Sequence, residues 1–135
     1  MLIRPGVRET YGARRAVVGT QVDLVPTMIA RLGTPFVHQC WGRDLLALPE
    51  DDPGFGMVKP SGSDKTEAFI QGDTVLVRSP DGGDTLFSFS LYPEAAAQRI
   101  DRAGLKRSLS GKLSAYVQSA MRSLIDNTAG LNDDH

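Results

Sequence analysis

The apolar side chains between Leu105 and Ile125 recur at three- and four-residue steps, and this pattern constrains the fold more than any other feature. Such spacing predicts one long helix with an apolar stripe, because Ser, Lys, Arg and Gln occupy the opposite face. The stripe could bind a partner, but covering a sheet of the same protein is its ordinary use. Its members are Leu105, Leu109, Leu113, Tyr116, Val117, Ala120, Met121, Leu124 and Ile125.

The sheet that this helix is expected to cover lies in residues 55–91. Four short runs rich in β-forming residues are found there, and a Pro-Asp-Gly-Gly turn sequence precedes the last of them. Apolar residues and serines alternate in that last run, which is typical of a half-buried antiparallel strand. The predicted strands are 55–58, 67–70, 74–78 and 85–91, and the alternating positions are Phe87, Phe89 and Leu91 on one face with Ser88 and Ser90 on the other.

A shorter helix is predicted after Asp23, whose carboxylate is suited to capping the first turn. Pro26 would be the third helical residue, where its missing N–H costs nothing. Gly33 follows the last apolar position, where a left-handed residue commonly ends a helix. The spacing predicts that one face of this helix is apolar and buried. That face consists of Leu24, Val25, Met28, Ile29 and Leu32.

Four other segments complete the sequence-based description. Residues 8–15 are polar and are predicted to form a loop, and 16–18 a short strand. Residues 34–54 contain several prolines and are predicted to be a connection with little regular structure, anchored by Trp41 and two leucines. Residues 94–103 are Ala-rich, follow Pro93 and precede Gly104, which predicts a second C-terminal helix.

The stretch from residue 20 to 46 resembles a known family. Thr20-Gln21-Val22-Asp23-Leu24-Val25-Pro26-Thr27, an apolar run ending in Gly33, and then Gly42-Arg43-Asp44-Leu45-Leu46 resemble the C-terminal part of sulfatase-type enzymes of the alkaline phosphatase superfamily. Within that superfamily the lipoteichoic-acid synthase and phosphoglycerol transferase branch is the most similar. The rest of the chain agrees only in the order of its elements.

The resemblance implies that the chain is the C-terminal subdomain of a larger α/β enzyme, membrane-anchored or extracytoplasmic. In such enzymes a Thr, Ser or modified Cys nucleophile is activated by a divalent metal, here expected to be Mn, Mg or Ca. The resemblance places those residues upstream of the matched stretch. It also places a metal-binding Asp-His pair just before Met1, because a strand like that of Met1–Ile3 follows this pair in the family.

No catalytic, cofactor-binding or metal-binding residue is predicted within residues 1–135. Asp23 and Asp44 match motif positions, but capping and fixing of a loop are their expected roles. Cys40 lacks the sequence context of the modified cysteine, and one cysteine excludes an intrachain disulfide. His38 has no neighbouring cluster of ligands and is expected to be a surface or packing residue.

Composition bounds the class of protein. The length of 135 residues and an apolar content of 41% fit one globular domain of class α+β. Fifteen basic and 16 acidic residues give a net charge of −1 without a basic stripe, which excludes a typical nucleic-acid surface. No apolar run reaches the ~18 residues of a membrane span. The predicted parts are 1–54 (strand, helix and connection), 55–91 (a mostly antiparallel sheet of about four strands), 93–127 (helices) and 128–135 (a frayed tail).

The functional prediction is therefore a C-terminal, non-catalytic part of a metal-dependent sulfatase- or phosphoglycerol-transferase-like enzyme. Its partner would be the N-terminal catalytic core, and an apolar patch around Leu2, Ile3 and Trp41 predicts self-association in its absence. The alternative is a stand-alone binding module that uses the sheet face or the loops of 55–73. A small enzyme centred on His38 or a serine is disfavoured, because no catalytic motif accompanies either.

Overall fold

The computed structural model describes residues 6–12, 16–33, 40–59 and 65–128. Its α+β architecture confirms the predicted class: an open antiparallel sheet with its strands in chain order, and a long C-terminal helix packed on one face. The helices are α1 (Val7–Tyr11), α2 (Leu24–Ile29, preceded by a 3-10 turn at Gln21–Asp23) and α3 (Ala103–Ile125). The strands are β1 (Gly56–Val58), β2 (Glu67–Gln71), β3 (Thr74–Arg78), β4 (Asp84–Ser90) and β5 (Ala96–Arg99).

The core lies between the middle of the sheet and the first half of α3. Phe69, Leu76 and Leu86 stand opposite one another across β2, β3 and β4. Leu109 and Leu113 of α3 pack onto them, and none of the five side chains is more than 2% exposed. Burial of each such side chain stabilises the fold by about 1.5–3 kcal/mol, so this cluster fixes the position of α3 on the sheet.

The prediction of a helix over 94–103 is wrong. Part of this segment is a strand, so the sheet has five strands instead of the expected four or so. Ala96–Arg99 forms β5, which pairs with β4 so that Gln98 lies opposite Ser88. Alanine favours helices by only a fraction of a kcal/mol per residue over most others. Four residues gain too little from that preference, and backbone pairing with β4 decides their conformation instead.

The side of β4 that α3 covers is not the phenylalanine side. Leu86, which breaks the alternation of phenylalanine and serine, is 2% exposed and faces α3. Phe87 and Phe89 lie on the opposite face of the sheet and are only half-buried. Leu91 follows the strand and is 73% exposed. Phe87 and Phe89 share one face of β4, as predicted, but the face that packs on α3 follows the Phe69–Leu76–Leu86 row.

Helix α3 confirms the predicted long helix and divides into two halves. Leu109 and Leu113 in its first half are buried, whereas Met121, Leu124 and Ile125 in its second half are 55%, 64% and 77% exposed. The apolar stripe is continuous in sequence, but the sheet ends before the helix does. Only part of the stripe is therefore covered by the described residues.

The N-terminal region differs from the prediction in two places. Residues 8–11 of the expected loop belong to the short helix α1, and Val18 of the expected strand makes one isolated bridge, to Gly54. Met1–Ile3, His38 and most of the predicted frayed tail lie outside the described residues. No helix in the described part of the chain is long and apolar enough to cross a bilayer.

Candidate functional site

The stretch that carries the family resemblance folds into a hydrogen-bonded unit centred on Asp23. This carboxylate is 1% exposed. One of its oxygens accepts the backbone N–H of Thr20 at 2.8 Å, and the other accepts the backbone N–H of Arg43 at 2.7 Å. The Arg43 guanidinium adds two weaker contacts of 3.3 Å, one to each oxygen. Asp23 thus ties two segments together that are 20 residues apart.

Thr27 makes a second connection between the same segments. Its hydroxyl donates to the carbonyl of Asp23 at 2.6 Å and accepts the backbone N–H of Leu45 at 2.9 Å. Because a threonine hydroxyl offers both a donor and an acceptor, one side chain joins α2 to the connection that follows it. We refer to Asp23, Thr27 and Arg43, with the backbone groups they bind, as the latch.

The latch is attached to the sheet through Arg43. Its guanidinium donates to the carbonyl of Phe55 at 2.7 Å and lies 3.7 Å from the centre of the Phe55 ring. That ring stacks on Phe69 with centroids 5.5 Å apart. Gly42 permits the close approach, since a Cβ there would lie 1.8 Å from the carbonyl oxygen of Val22. The latch and the core therefore form one continuous packed structure.

Asp44 fixes the turn that follows the latch. It accepts the backbone N–H of Leu46 at 3.0 Å, which confirms its predicted role in capping local amides. It also pairs with Arg31, whose guanidinium donates to the Tyr11 hydroxyl at 2.8 Å. Through this contact the end of α1 is tied to the turn that follows α2.

Asp23 has a pKa that is lowered from its usual value. Burial would raise the pKa by penalising the charged form. Hydrogen bonds from the Arg43 side chain, from the Thr20 N–H and from the Arg43 N–H outweigh that effect, and the positive charge of Arg43 adds to them. The carboxylate is therefore held ionised, and its oxygens face donors of its own chain.

The predicted role of Asp23 as a cap of the α2 first turn is wrong, although the residue does precede this helix. Its side chain makes no cap hydrogen bond to α2 and instead accepts from the 3-10 turn and from Arg43. Pro26 occupies the third helical position, as predicted. Gly33 has the expected left-handed φ of +80°, but α2 ends four residues before it, at Ile29.

The apolar face of α2 is directed outward, contrary to the prediction of burial. Asp23, Pro26 and Thr27 are the buried residues of this unit, because they make its internal hydrogen bonds and contacts. Ile29 alone of the predicted face is half-buried. We call the exposed side chains the latch surface: Val22 (40% exposed), Leu24 (55%), Val25 (49%), Met28 (57%) and Leu32 (75%).

An open, mostly apolar groove of about 970 Å³ runs beside the latch surface. One wall comes from residues 20–22, Leu24 and Leu45, and the other from β1 and the second half of α3. Trp41 lies in the groove, and its indole N–H donates to the Ser123 hydroxyl at 3.2 Å. Lys59 and Glu67 supply its charged groups.

The described residues hold no group of three or more His, Cys, Asp or Glu side chains positioned for a metal ion. Cys40 is partly buried and, as the sole cysteine of the sequence, forms no intrachain disulfide. Sequence reasoning placed Asp23 and Asp44 in structural roles but did not identify Thr27 and Arg43 as the partners of Asp23. Both residues lie within the motif that carries the family resemblance, and this was the sequence signal that could have identified them. The chain matches no protein-family model, no curated protein and no solved structure.

Proposed function

We propose that this chain is the C-terminal, non-catalytic part of a metal-dependent enzyme similar to sulfatases and phosphoglycerol transferases. In the complete enzyme it supports a catalytic core that hydrolyses or transfers sulfuric or phosphoric esters. The nucleophile and the divalent metal, Mn, Mg or Ca, belong to that core. The chain by itself neither binds the metal stoichiometrically nor turns over a substrate.

The main support for this proposal is that the motif residues are buried and hydrogen-bonded within their own chain. A catalytic carboxylate or hydroxyl must reach a substrate, whereas Asp23 and Thr27 are 1% and 3% exposed and are hydrogen-bonded to their own chain. Asp44 is likewise engaged by Arg31 and by the N–H of Leu46. The motif thus maintains the shape of a structural unit, which is the role expected of a supporting subdomain.

The exposed latch surface supports the same proposal. Soluble domains seldom leave a contiguous group of large apolar side chains in water, and such a patch commonly marks an interaction surface. Here Leu24 and Met28 project from α2, whose other side is held by the latch, and Leu32 is exposed just beyond the end of this helix. We propose that the catalytic core of the same polypeptide packs on this surface.

The first experiment measures the native polypeptide. An antibody raised against this chain should detect a protein several times larger than 14.6 kDa in source cells. The immunopurified protein should hydrolyse an aryl sulfate or an aryl phosphodiester when Mn²⁺, Mg²⁺ or Ca²⁺ is present, and the isolated chain should not. A native protein of the size of this chain would reject the proposal.

A second experiment tests the latch surface within the long polypeptide. Replacing Leu24 and Met28 with Glu should lower the activity and the melting temperature, because two charges would enter the contact with the core. Leu91→Glu is the matched control, since Leu91 is 73% exposed and lies at the far end of the sheet. Equal activity and melting temperature for the two variants would reject docking on this surface.

A stand-alone binding module is the second candidate, and the groove beside the latch is the observation that favours it. Its volume and apolar lining suit a small apolar ligand or an extended peptide. In this case the native protein would have the size of this chain, and a ligand would shift the resonances of Trp41 and Tyr116 in a binding screen. The absence of any such shift would reject the module.

A further inference from the structure

Strand β5 forms an exposed edge of the sheet. All four of its residues are exposed, and its partner β4 lies on one side only. The Ile100 N–H donates to the Leu86 carbonyl at 3.0 Å. The hydrogen-bonding direction of the backbone alternates along an antiparallel strand. The backbone N–H and C=O groups of Gln98 therefore also point toward β4, whereas those of Ala97 and Arg99 point away from it. This edge therefore presents a repeating row of backbone donors and acceptors.

The opposite edge of the sheet, at β1, is partly covered by a neighbouring segment of the chain. Near β1, the N–H of Val18 donates to the Pro53 carbonyl at 2.9 Å, and a Cβ on Gly56 would meet the methyl group of Thr20 at 2.6 Å. No such covering segment lies against β5 among the described residues. Natural sheets protect free edges with prolines, inward-pointing charges, bulges or covering loops. β5 contains no proline and has alanine at two successive positions, so a second strand can approach it closely.

The β5 edge is complementary to itself. In a two-fold antiparallel pair one residue stands opposite its own copy, and the hydrogen-bonding positions must fall symmetrically on either side. With Gln98 on the axis, Ala97 and Arg99 of one copy exchange hydrogen bonds with Arg99 and Ala97 of the other. All these donors and acceptors lie within β5, and the two Gln98 amides can bond to each other.

Charge supports the same register. When Gln98 lies on the axis, continuing the register beyond β5 brings Glu94, two residues before the strand, toward Arg102 of the other copy, three residues after it. Opposite charges at facing positions favour pairing, whereas like charges oppose it. The two-fold axis repeats the pair, so two attractive contacts flank the strand. The short sequence from 94 to 102 therefore specifies both a partner and an alignment.

We propose that two copies of this chain associate through their β5 edges, antiparallel and with Gln98 on the two-fold axis, joining their sheets into one. The interface lies on the sheet edge opposite β1, and β1 is the strand next to the latch. Association through β5 is therefore independent of the function proposed above. It applies to the chain alone and to any longer polypeptide that contains it.

Disulfide trapping tests the register in the full 135-residue chain. In a Cys40→Ser background, Gln98→Cys should give a disulfide-linked dimer on mild oxidation, because facing residues of a non-hydrogen-bonded pair are within disulfide range. Ala97→Cys should give much less, since the two copies of position 97 lie diagonally about 7–8 Å apart. Ser108→Cys, on the exposed side of α3, is the control for random collisions. Stronger trapping at 97 or 108 than at 98 would overturn the register.

Sedimentation equilibrium tests the association itself. The unmodified chain should dimerise reversibly, and Ala97→Pro should make it monomeric, because the ring replaces an outward N–H while β4 pairing is untouched. Glu94→Arg should weaken the dimer about tenfold by placing like charges in apposition, and adding Arg102→Glu should restore it. The proposal would be overturned if the unmodified chain were monomeric. It would also be overturned if Arg102→Glu failed to restore the dimer that Glu94→Arg had weakened. Circular dichroism identifies variants that are unfolded, and the charge-reversal pair decides the outcome if Ala97→Pro is among them.

Discussion

The carboxylate of Asp23 accepts the backbone N–H of Arg43 at 2.7 Å, and the guanidinium of the same arginine returns to that carboxylate at 3.3 Å. One residue thus meets Asp23 through both its backbone and its side chain. The backbone bond fixes the path of the chain, and the side chain compensates the buried charge. Without both contacts, burial of the charged Asp23 side chain, which is 1% exposed, would cost considerable free energy.

Replacing Asp23 with Asn should destabilise the chain by about 3 kcal/mol, because an amide cannot replace the charge-assisted bonds and directs an N–H toward existing donors. Urea unfolding monitored by circular dichroism measures the change. Asp126→Asn is the matched control: its carboxylate is 46% exposed and pairs with an 84% exposed Arg122, so it should change stability by less than about 0.5 kcal/mol. Equal losses in the two variants would show that Asp23 has no special role.

Gly42→Ala and Gly111→Ala should have opposite effects. A Cβ at Gly42 would lie 1.8 Å from the carbonyl oxygen of Val22, so the latch segments must separate and the melting temperature should fall. A Cβ at Gly111, within α3, meets nothing within 4 Å, and Ala there should stabilise the helix by about 1 kcal/mol. A melting temperature for Gly42→Ala at or above that of the unmodified chain would contradict the close approach.

Leu113→Ala should cost about 2–5 kcal/mol, because the side chain is fully buried between α3 and the sheet and its removal leaves a cavity. Leu124→Ala makes the same change about three turns further along α3 and on nearly the same side of the helix, at 64% exposure, and should cost several times less. Ser108→Ala serves as the surface reference. Indistinguishable melting temperatures for Leu113→Ala and Ser108→Ala would refute the packing of α3 on the sheet.

Acid should weaken the fold through two carboxylates. The pKa of Asp23 lies below its usual value despite burial, because hydrogen bonds from Arg43 and Thr20 favour the charged form, and the pKa of Asp84 is lowered by its hydrogen bond to Arg78. Groups with a depressed folded-state pKa stabilise the fold above the unfolded pKa and lose that contribution as the pH falls through the folded pKa. The free energy of unfolding should therefore decrease from about pH 5 downward.

Asp23→Asn and Asp84→Asn should each reduce this acid dependence, since each removes one linked proton. The measurement is the free energy of unfolding at neutral pH and at about pH 3 for both variants and for the unmodified chain. If both variants keep the full difference between the two pH values, other groups cause the acid sensitivity.

The long periodic elements could be predicted from the sequence, because their patterns are repeated many times. The stripe beginning at Leu105 identified α3, and the β-forming runs identified the first four strands. Gly42 before Arg43 and Asp44 indicates a turn, and this was enough to predict that Asp44 caps a backbone amide. In each case the deciding interactions are local in sequence.

The remaining features depend on partners that are distant in sequence. The strand β5 exists because β4 offers it an edge, and the Ala-rich segment carries no local sign of that pairing. The inward side of α2 is polar because Arg43 and Leu45 supply partners for Asp23 and Thr27. Hydrophobic periodicity alone assigns such polar side chains to solvent, so it inverted the two faces of this helix.

The hydrogen bond from Trp41 to Ser123 gives the molecule a built-in optical probe. Trp41 is the sole tryptophan of the sequence, and its indole N–H reaches across 82 residues to α3. Its fluorescence therefore reports the contact between α3 and the segment just before Arg43 of the latch, which we call the seam. Circular dichroism reports the sheet and α3. Separation of the two signals during heating would reveal that the seam opens before the rest of the molecule melts, without any label being attached.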